Sequence, residues 1–219
     1  MPPRVKICAN TRPEDVAAAV AAGADLVGAV VVPATKRAVA VEDLQALLAP
    51  ARGKAGRVAV TVDPDDTLVD GLAASGAVDL IQLHGHEPPG RVREVRARTR
   101  LAVVKALPVA TSDDLAHVMA YAEAADLLLF DAKAPPGAQA GGNGLAFDWR
   151  LLQGIATGGT PWGLAGGLDP ANVQDAVRLT GAGFVDVASG VESTPGIKDH
   201  ERLRAFIEAA KRPNDGGKE

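Results

Sequence analysis

Two glycine-containing turns near the C-terminus, Gly166-Gly167 and Ser189-Gly190, have the composition of an anion-binding site. Each turn follows a short apolar run that is typical of a buried strand. Glycine at the end of a strand lets backbone N–H groups approach an anion closely, and a following helix start adds a favourable dipole. We therefore expect the two turns to bind a phosphate group together.

Cys8 and Asp131 are the side chains best suited to moving a proton, because each ends an apolar run. A cysteine acts as a base or nucleophile only as a thiolate, which needs a positive neighbour or a helix start. Without one, Cys8 is a small buried hydrophobic residue. Asp131 is either an acid that faces the site or an ion-pair partner, with Lys133 two residues away.

His84 and Arg37 are further candidates for ligand contacts. His84 follows the apolar run Leu80–Leu83 and is either an acid–base group or a neutral, hydrogen-bonded histidine. The planar guanidinium of Arg37 can clamp a carboxylate, although many loop arginines are merely solvated. The histidines are scattered and show no metal-ligand spacing, so we expect no metal site.

The elements that must position these residues alternate between short apolar runs and amphipathic stretches. Continuous apolar strands separated by helices favour a parallel sheet that is buried on both faces. The number of runs, and the lack of a G-x-G-x-x-G loop after the first, predict an α/β fold, a single (β/α)8 TIM barrel with parallel strands. The runs are Arg4–Cys8, Leu26–Val32, Arg57–Val62, Leu80–Leu83, Ala102–Leu107, Leu127–Phe130, Trp162–Ala165 and Phe184–Ala188.

Local signals predict where some of the helices begin and which face they bury. Thr11 with Glu14 has the spacing of a capping box, and Asp148 precedes another helical turn. Asp169 or Pro170 is expected to open a helix. The apolar stripe expected on that helix comprises Val173, Ala176, Val177 and Leu179.

The length and composition of the chain are typical of a single globular domain. The 219 residues divide into a barrel domain over residues 1–211 and a polar tail over 212–219. Hydrophobic residues make up 47% of the chain and charged residues 23%, with a formal net charge of −4, so we expect no nucleic-acid partner. This size and charge are compatible with a monomer or a weak homodimer.

The number of cysteines and the hydropathy of the chain indicate its cellular compartment. A single cysteine forbids an internal disulfide framework and fits a reducing environment. The opening residues contain no apolar signal-peptide core, and no apolar run is long enough to cross a membrane. We therefore expect a cytoplasmic protein without membrane contact.

The order of the motifs resembles that of one known family, phosphoribosylanthranilate isomerase of tryptophan biosynthesis. The matching segments occur in the same order and span nearly the whole chain. They are Val5–Cys8, Gln82–Gly85, Phe130-Asp131, Gly141–Gly144, Phe147–Trp149, Leu164–Leu168 with Pro170 and Asn172-Val173, Val185–Val187, Ser189–Glu192, Pro195-Gly196 and Lys198-Asp199.

The resemblance implies a cofactor-independent Amadori rearrangement of N-(5′-phosphoribosyl)anthranilate, an aminoaldose, to the aminoketose 1-(2-carboxyphenylamino)-1-deoxyribulose 5-phosphate. By analogy with the family, Asp131 is the general acid, Cys8 is the general base, and Arg37 lies near the anthranilate carboxylate. The partner is then a small phosphorylated substrate. The other substrate-binding residues implied are His84, Gly144, Gly166, Gly167, Ser189 and Gly190.

The chain departs from the family pattern at three places, of which the change of threonine to Asn143 in the Gly141–Gly144 loop is mild, and two other functions stay open. The family usually has glycine after the cysteine, where this chain has Ala9, and aromatic residues in the second strand, where this chain has valines. One alternative is an aminoaldose isomerase of the histidine pathway or a dual-substrate relative, but those enzymes have aspartate where Cys8 stands. The other alternative is a barrel that only binds a phosphorylated ligand, which would not need both Cys8 and Asp131.

Overall fold

Eight parallel strands close into a barrel in the computed structural model of the chain, which describes residues 1–33, 35–133 and 146–213. Each strand pairs with the next along the chain, and the eighth pairs with the first to complete the ring. This confirms the (β/α)8 barrel that the sequence predicts. The strands are β1 Arg4–Ile7, β2 Leu26–Val30, β3 Gly56–Thr61, β4 Leu80–Leu83, β5 Ala102–Val109, β6 Leu127–Ala132, β7 Trp162–Leu164 and β8 Phe184–Val187.

Helices and short 3-10 turns surround the barrel and connect the strands. After β8, the strands β9 Glu192–Thr194 and β10 Ile197–Lys198 form a small antiparallel hairpin. Among the described residues, no helix is long and apolar enough to cross a bilayer. The helices are α1 Pro13–Ala21, α2 Leu44–Leu47, α3 Asp66–Ser75, α4 Pro89–Thr99, α5 Val118–Ala122, α6 Val173–Thr180 and α7 His200–Lys211.

The prediction of a capping box at Thr11 is wrong. Helix α1 begins at Pro13, with Arg12 as its N-cap and no side-chain cap, because proline already suits the first helical position. The Thr11 hydroxyl instead donates a hydrogen bond to the Gly196 carbonyl oxygen at 2.5 Å, so it ties the chain after β1 to the β9–β10 hairpin. Asp148 does cap the following 3-10 turn, where its side chain accepts from the Arg150 N–H.

Helix α6 begins later than Asp169 or Pro170 and buries a different fourth residue from the one expected. Its first residue is Val173, and Thr180 rather than Leu179 completes the buried stripe. Leu179 is 38% exposed. Thr180 tolerates burial because its hydroxyl donates to the Ala176 carbonyl oxygen at 2.7 Å.

Two hydrophobic cores lie on the two sides of the sheet. Side chains alternate along a strand, so Val5 and Ile7 of β1 face the helices, whereas Lys6 and Cys8 share the barrel interior. The outer core is the larger of the two. The interior is lined mainly by small and branched apolar residues, but it also contains buried polar side chains, among them Lys6, Gln82 and Asp186.

A buried ion pair holds the loop after β4 against β5. Lys105 Nζ lies 2.6 Å from Glu87 Oε2 and donates to the Gly85 carbonyl oxygen at 2.7 Å, and both charged side chains are 2% exposed. Burial lowers the pKa of Lys105, and the Glu87 carboxylate opposes that shift. Glu87 also accepts from the Gly85 N–H, so this pair fixes the residue next to His84.

We predict that Lys105→Met destabilises the protein much more than Lys133→Met. The first change leaves Glu87 buried without its cation, which costs about 3–5 kcal/mol. The second breaks the Lys133–Asp114 pair, in which Lys133 is 51% exposed, and costs less than about 1 kcal/mol. Urea denaturation of the two variants measures both values, and equal losses of stability would contradict the prediction.

Candidate active site at the C-terminal end of the barrel

The parallel strands bring the side chains singled out in the sequence to one end of the barrel. Because all eight strands point the same way, residues at their C-terminal ends meet at one rim. The structure places Cys8 after β1, His84 after β4, Asp131 near the end of β6, Gly166-Gly167 after β7 and Ser189-Gly190 after β8. Gly144 lies outside the described residues.

The ammonium of Lys6 lies beneath the rim and contacts Cys8 directly. Lys6 Nζ lies 3.1 Å from Cys8 Sγ, 2.8 Å from Gln82 Oε1 and 2.7 Å from Asp186 Oδ2. The three acceptors match the three N–H groups of the ammonium. Lys6 is 1% exposed, so no bulk water competes for these bonds. Cys8 therefore has the positive neighbour that a reactive cysteine needs.

Burial and the two neighbouring lysines act on the pKa of the Cys8 thiol in opposite directions. Burial is the largest influence and raises the pKa of Cys8, and the Asp186 carboxylate raises it further. The charges of Lys6 and Lys198 lower the pKa but do not outweigh these effects. For Lys6 itself, burial favours the neutral amine, but Asp186 and Cys8 raise its pKa above the usual value. The site thus pairs a thiol with a firmly charged ammonium.

A run of hydrogen bonds leads from Lys6 to Asp131. Gln82 Nε2 lies 2.9 Å from His84 Nδ1, and His84 Nε2 lies 3.0 Å from Asp131 Oδ2. Together with the Lys6–Gln82 bond, these contacts link the first, fourth and sixth strands across the barrel. His84 is therefore hydrogen-bonded on both ring nitrogens at the rim, and it contacts the candidate acid.

The glycine turn after β7 lies against Asp131. Asp131 Oδ1 accepts from the Ala132 N–H at 2.8 Å. A Cβ atom on Gly166 would lie 2.9 Å from Asp131 Oδ1 and 2.6 Å from the Ala132 nitrogen. Gly166 also has φ +85°, a conformation that side chains disfavour. Glycine at this position lets the turn approach the carboxylate.

The loop after β8 packs against the loop after β7, at the residue that follows Gly167. A Cβ atom on Gly190 would overlap the Leu168 carbonyl oxygen, so only glycine allows the two loops to meet this closely. Asn172 fastens the first loop, since its Nδ2 donates to the Gly167 carbonyl oxygen at 2.8 Å. Ser189 and Gly190 open a 3-10 turn directly after β8.

Arg37 is held by a second buried charge group that the sequence did not reveal. Its Nε and Nη2 atoms lie 2.9 and 2.6 Å from the two carboxylate oxygens of Glu192. Lys198 Nζ lies 3.1 Å from Glu192 Oε1, and its side chain is completely buried. Although burial favours the neutral acid, Arg37 and Lys198 hold the pKa of Glu192 below its usual range. The resting partner of Arg37 is thus a protein carboxylate.

Sequence reasoning missed Lys6, Gln82 and Asp186 because a polar residue inside an apolar run looks like a strand irregularity. The signal that could have found the first two is the two-residue period of a strand. Lys6 precedes Cys8 by two residues and Gln82 precedes His84 by two, so each lies directly below a candidate site residue. Gly28 makes room for the first pair, since a Cβ there would lie 3.0 Å from Lys6 Cε.

The backbone after Cys8 explains one departure from the family pattern. Ala9 has φ +58°, in the left-handed region where glycine is favoured and other residues are strained. The neighbouring Asn10 holds this turn, because its Nδ2 donates to the Ile7 and Gly28 carbonyl oxygens. This chain therefore adopts with alanine a backbone conformation that suits the glycine found elsewhere.

Comparison with known proteins places the chain beside one group of enzymes. The family model described as N-(5′-phosphoribosyl)anthranilate (PRA) isomerase matches residues 5–209. The N-(5′-phosphoribosyl)anthranilate isomerase of Rhodopseudomonas palustris is 50% identical over 212 residues, which are 96% of this chain and 97% of that protein. The enzyme of the same name from Paramagnetospirillum magneticum is 48% identical and is covered over 98% of its length.

Solved structures agree with these sequence relatives. The crystal structure of phosphoribosyl anthranilate isomerase from Thermotoga maritima has a TM-score of 0.86 and 35% identity, covering 95% of this chain and 98% of that one. A structure of the isomerase in complex with reduced 1-(o-carboxyphenylamino)-1-deoxyribulose 5-phosphate has a TM-score of 0.83 and 33% identity, with the same coverage.

We predict that Asp186→Asn lowers the pKa of Cys8. The change removes a negative charge that raises this pKa, while an amide oxygen can still accept from Lys6. Cys8 is the sole cysteine, so the pH dependence of iodoacetamide alkylation measures it directly.

Asp175→Asn is the matched control, because Asp175 lies exposed on α6. An unchanged or raised pKa of Cys8 in Asp186→Asn would contradict the proposed balance of charges.

Proposed function

The chain belongs to the N-(5′-phosphoribosyl)anthranilate isomerase family, and from that premise we propose which of its residues perform the reaction. It is an intramolecular aldose–ketose isomerase of tryptophan biosynthesis. Its substrate, N-(5′-phosphoribosyl)anthranilate, becomes 1-(2-carboxyphenylamino)-1-deoxyribulose 5-phosphate. The reaction opens a sugar ring and moves hydrogen between neighbouring carbons, so it needs an acid and a base on either side of the substrate.

Asp131 is the general acid of this proposal. It donates its proton to the ribose ring oxygen as the bond from that oxygen to C1′ breaks. The lone pair of the anthranilate nitrogen forms the C=N bond of a protonated Schiff base. The carboxylate that remains accepts from His84 Nε2 and the Ala132 N–H, which lie within hydrogen-bond distance of its two oxygens. These donors stabilise the negative charge as it develops.

Cys8 is the general base. Its thiolate removes the C2′ proton, the C–H electron pair forms the C1′=C2′ bond, and the C=N pair returns to nitrogen. The resulting enolamine becomes the ketone when C1′ gains a proton and the C2′ hydroxyl loses one. The ammonium of Lys6, 3.1 Å from Cys8 Sγ, stabilises the thiolate that this step requires.

The phosphate group binds the two glycine turns in this proposal. Backbone N–H groups of Gly166, Gly167, Ser189 and Gly190 are its donors, and the contact of Gly190 with Leu168 brings the two loops together. The phosphate is remote from the reacting carbons, so its binding energy serves to orient them between acid and base. We assign Gly144 to the same substrate by analogy with the family alone.

Arg37 binds the anthranilate carboxylate at the other end of the substrate. Its bonds to Glu192 use Nε and Nη2, so a second carboxylate can reach Nη1. Glu192 holds the guanidinium in a fixed plane before the substrate arrives. That arrangement spares the conformational entropy of ordering a long side chain during binding.

The observation that carries the proposal is the convergence of Cys8 and Asp131 on one hydrogen-bonded set of side chains at the barrel rim. Lys6, Gln82 and His84 connect the two residues without a gap. A barrel that only binds a phosphorylated ligand would not need a thiol and a carboxyl group joined in this way.

Compartment and assembly are part of the proposal as well. A base that must remain a free thiol suits the reducing cytoplasm, which is where we place this enzyme. We propose a monomer or a weak homodimer. One related structure is described as monomers generated from the dimeric isomerase of Thermotoga maritima, so both states exist among relatives. Sedimentation at micromolar concentration distinguishes the two states.

We predict that Asp131→Asn and Cys8→Ser each lower kcat by about 10²–10⁴-fold, the usual contribution of a general acid or base. The amide cannot donate the proton to the ring oxygen, and a serine hydroxyl is almost un-ionised near pH 7, so it supplies far less of the anion that acts as base. The fluorescence of the anthranilate group follows turnover of freshly generated substrate. Product affinity should remain within a few-fold of wild type, and wild-type turnover in either variant would refute that residue's role.

We predict that Arg37→Ala raises KM by about 10–100-fold, because a charge-assisted hydrogen bond contributes about 1.5–3 kcal/mol. Arg52→Ala is the control, since Arg52 is exposed and precedes β3 at the opposite end of the barrel. Steady-state kinetics with the same substrate measure both. If KM and kcat are unchanged in Arg37→Ala, another group must bind the carboxylate.

A further inference from the structure

We propose that Gln82 is a positioning residue for the isomerisation: oriented by Lys6, it fixes His84 in the tautomer that donates a hydrogen bond to Asp131. This role rests on the proposed function of Asp131 as the general acid. Gln82 lies one layer below the rim and is 1% exposed. Its two polar atoms each face a single partner, Lys6 on one side and His84 on the other.

The orientation of the Gln82 amide is dictated by Lys6. An ammonium has three donors and no acceptor, so the atom 2.8 Å from Lys6 Nζ must be the carbonyl oxygen. The reverse orientation would set the amide NH2 against the ammonium, donor against donor. Lys6 cannot turn away, because its other hydrogens point to Cys8 and Asp186 in the same buried space. The NH2 group of Gln82 therefore faces His84.

The orientation of Gln82 then dictates where the His84 ring carries its hydrogen. An amide NH2 only donates, so His84 Nδ1, at 2.9 Å, must accept and has no hydrogen of its own. The ring hydrogen is left on Nε2, which lies 3.0 Å from Asp131 Oδ2. In each hydrogen bond between Lys6 and Asp131, the donor is thus the group nearer Lys6 and the acceptor is the group nearer Asp131.

This direction matters to an acid that must deliver its proton to the substrate. With hydrogen on Nε2, His84 stabilises the carboxylate that forms when Asp131 has given up its proton. With hydrogen on Nδ1 instead, the Nε2 lone pair would face Asp131 and compete with the sugar oxygen for that proton. Gln82 therefore favours proton transfer to the substrate over transfer to the histidine.

The tautomer can be measured in the wild-type protein without any substitution. Long-range ¹H–¹⁵N correlation spectra of protein labelled with ¹⁵N-histidine distinguish a protonated ring nitrogen from an unprotonated one. The His84 signals are assigned by their loss in His84→Asn. We expect the Nε2–H tautomer at neutral pH, and an Nδ1–H tautomer or a doubly protonated ring would overturn the proposal.

Gln82→Glu tests the consequence, because it keeps the shape and the acceptor for Lys6 but replaces the NH2 donor with a carboxylate oxygen. We expect His84 to carry a hydrogen on Nδ1 in this variant. We expect kcat to fall by at least about 100-fold with KM within a few-fold, since the wrong histidine tautomer costs a serine-protease triad about 10⁴ in kcat. Gln45→Glu makes the same exchange on the exposed face of α2 and should match wild type.

A second variant covers the possibility that Gln82→Glu does not fold. Gln82→Met has a similar length and neither donates nor accepts strongly, so it leaves both tautomers of His84 accessible. We expect mixed tautomers and a smaller loss of kcat than in Gln82→Glu. A wild-type kcat together with an altered tautomer, in either variant, would show that the tautomer has no effect on the reaction.

The outcomes separate this role from the proposed function. If the wild-type protein turns over the substrate but Gln82→Glu changes the tautomer without changing kcat, the role of Gln82 is wrong and the isomerase function stands. If the wild-type protein shows no turnover at micromolar enzyme, the proposed function fails, and the role of Gln82 in it fails as well.

Discussion

The buried ammonium of Lys6 determines the arrangement of the side chains that connect Cys8 with Asp131. Removing a charge from water costs several kcal/mol unless partners replace the lost hydration, and here Asp186, Gln82 and Cys8 occupy all three of its donors. Because Lys6 can only donate, each partner must present an acceptor. The orientation of Gln82, and through it that of His84, follows from this requirement. Lys6, rather than a residue at the rim, therefore determines which group donates and which accepts in each of these hydrogen bonds.

The second requirement is space for chain segments and side chains to approach closely. Glycine provides that space in the barrel interior and in the two loops. Gly28 leaves room for Lys6 and Cys8 to lie side by side, Gly166 lets the β7 loop contact Asp131, and Gly190 lets the β8 loop contact the β7 loop. A methyl group at any of these positions would press on a functional side chain or on the backbone of a neighbouring loop. The packing and the chemistry are thus constrained by the same few positions.

The sequence was sufficient to predict the barrel and the rim residues, because strand ends and glycine turns are local patterns. It was insufficient for the partners of those residues, which are distant along the chain. Lys6 bonds to Gln82 across 76 residues and to Asp186 across 180, and Arg37 meets Glu192 across 155. The wrong cap at Thr11 has the same cause, since its hydroxyl bonds to Gly196 across 185 residues.

Lys6, Gln82 and Asp186 form a polar layer inside the barrel. Stability alone does not explain this layer. Replacing a buried ion pair with well-packed apolar side chains is often neutral or stabilising by about 1–4 kcal/mol, so an all-apolar interior would serve the fold at least as well. The layer lies two residues below Cys8 on β1 and two below His84 after β4, so its charges act on the thiol and Gln82 orients the histidine that contacts Asp131. The low dielectric that makes these charges costly to bury also strengthens their effect on neighbouring protons. The polar layer is therefore best understood as the means by which the barrel interior controls proton transfer at its rim.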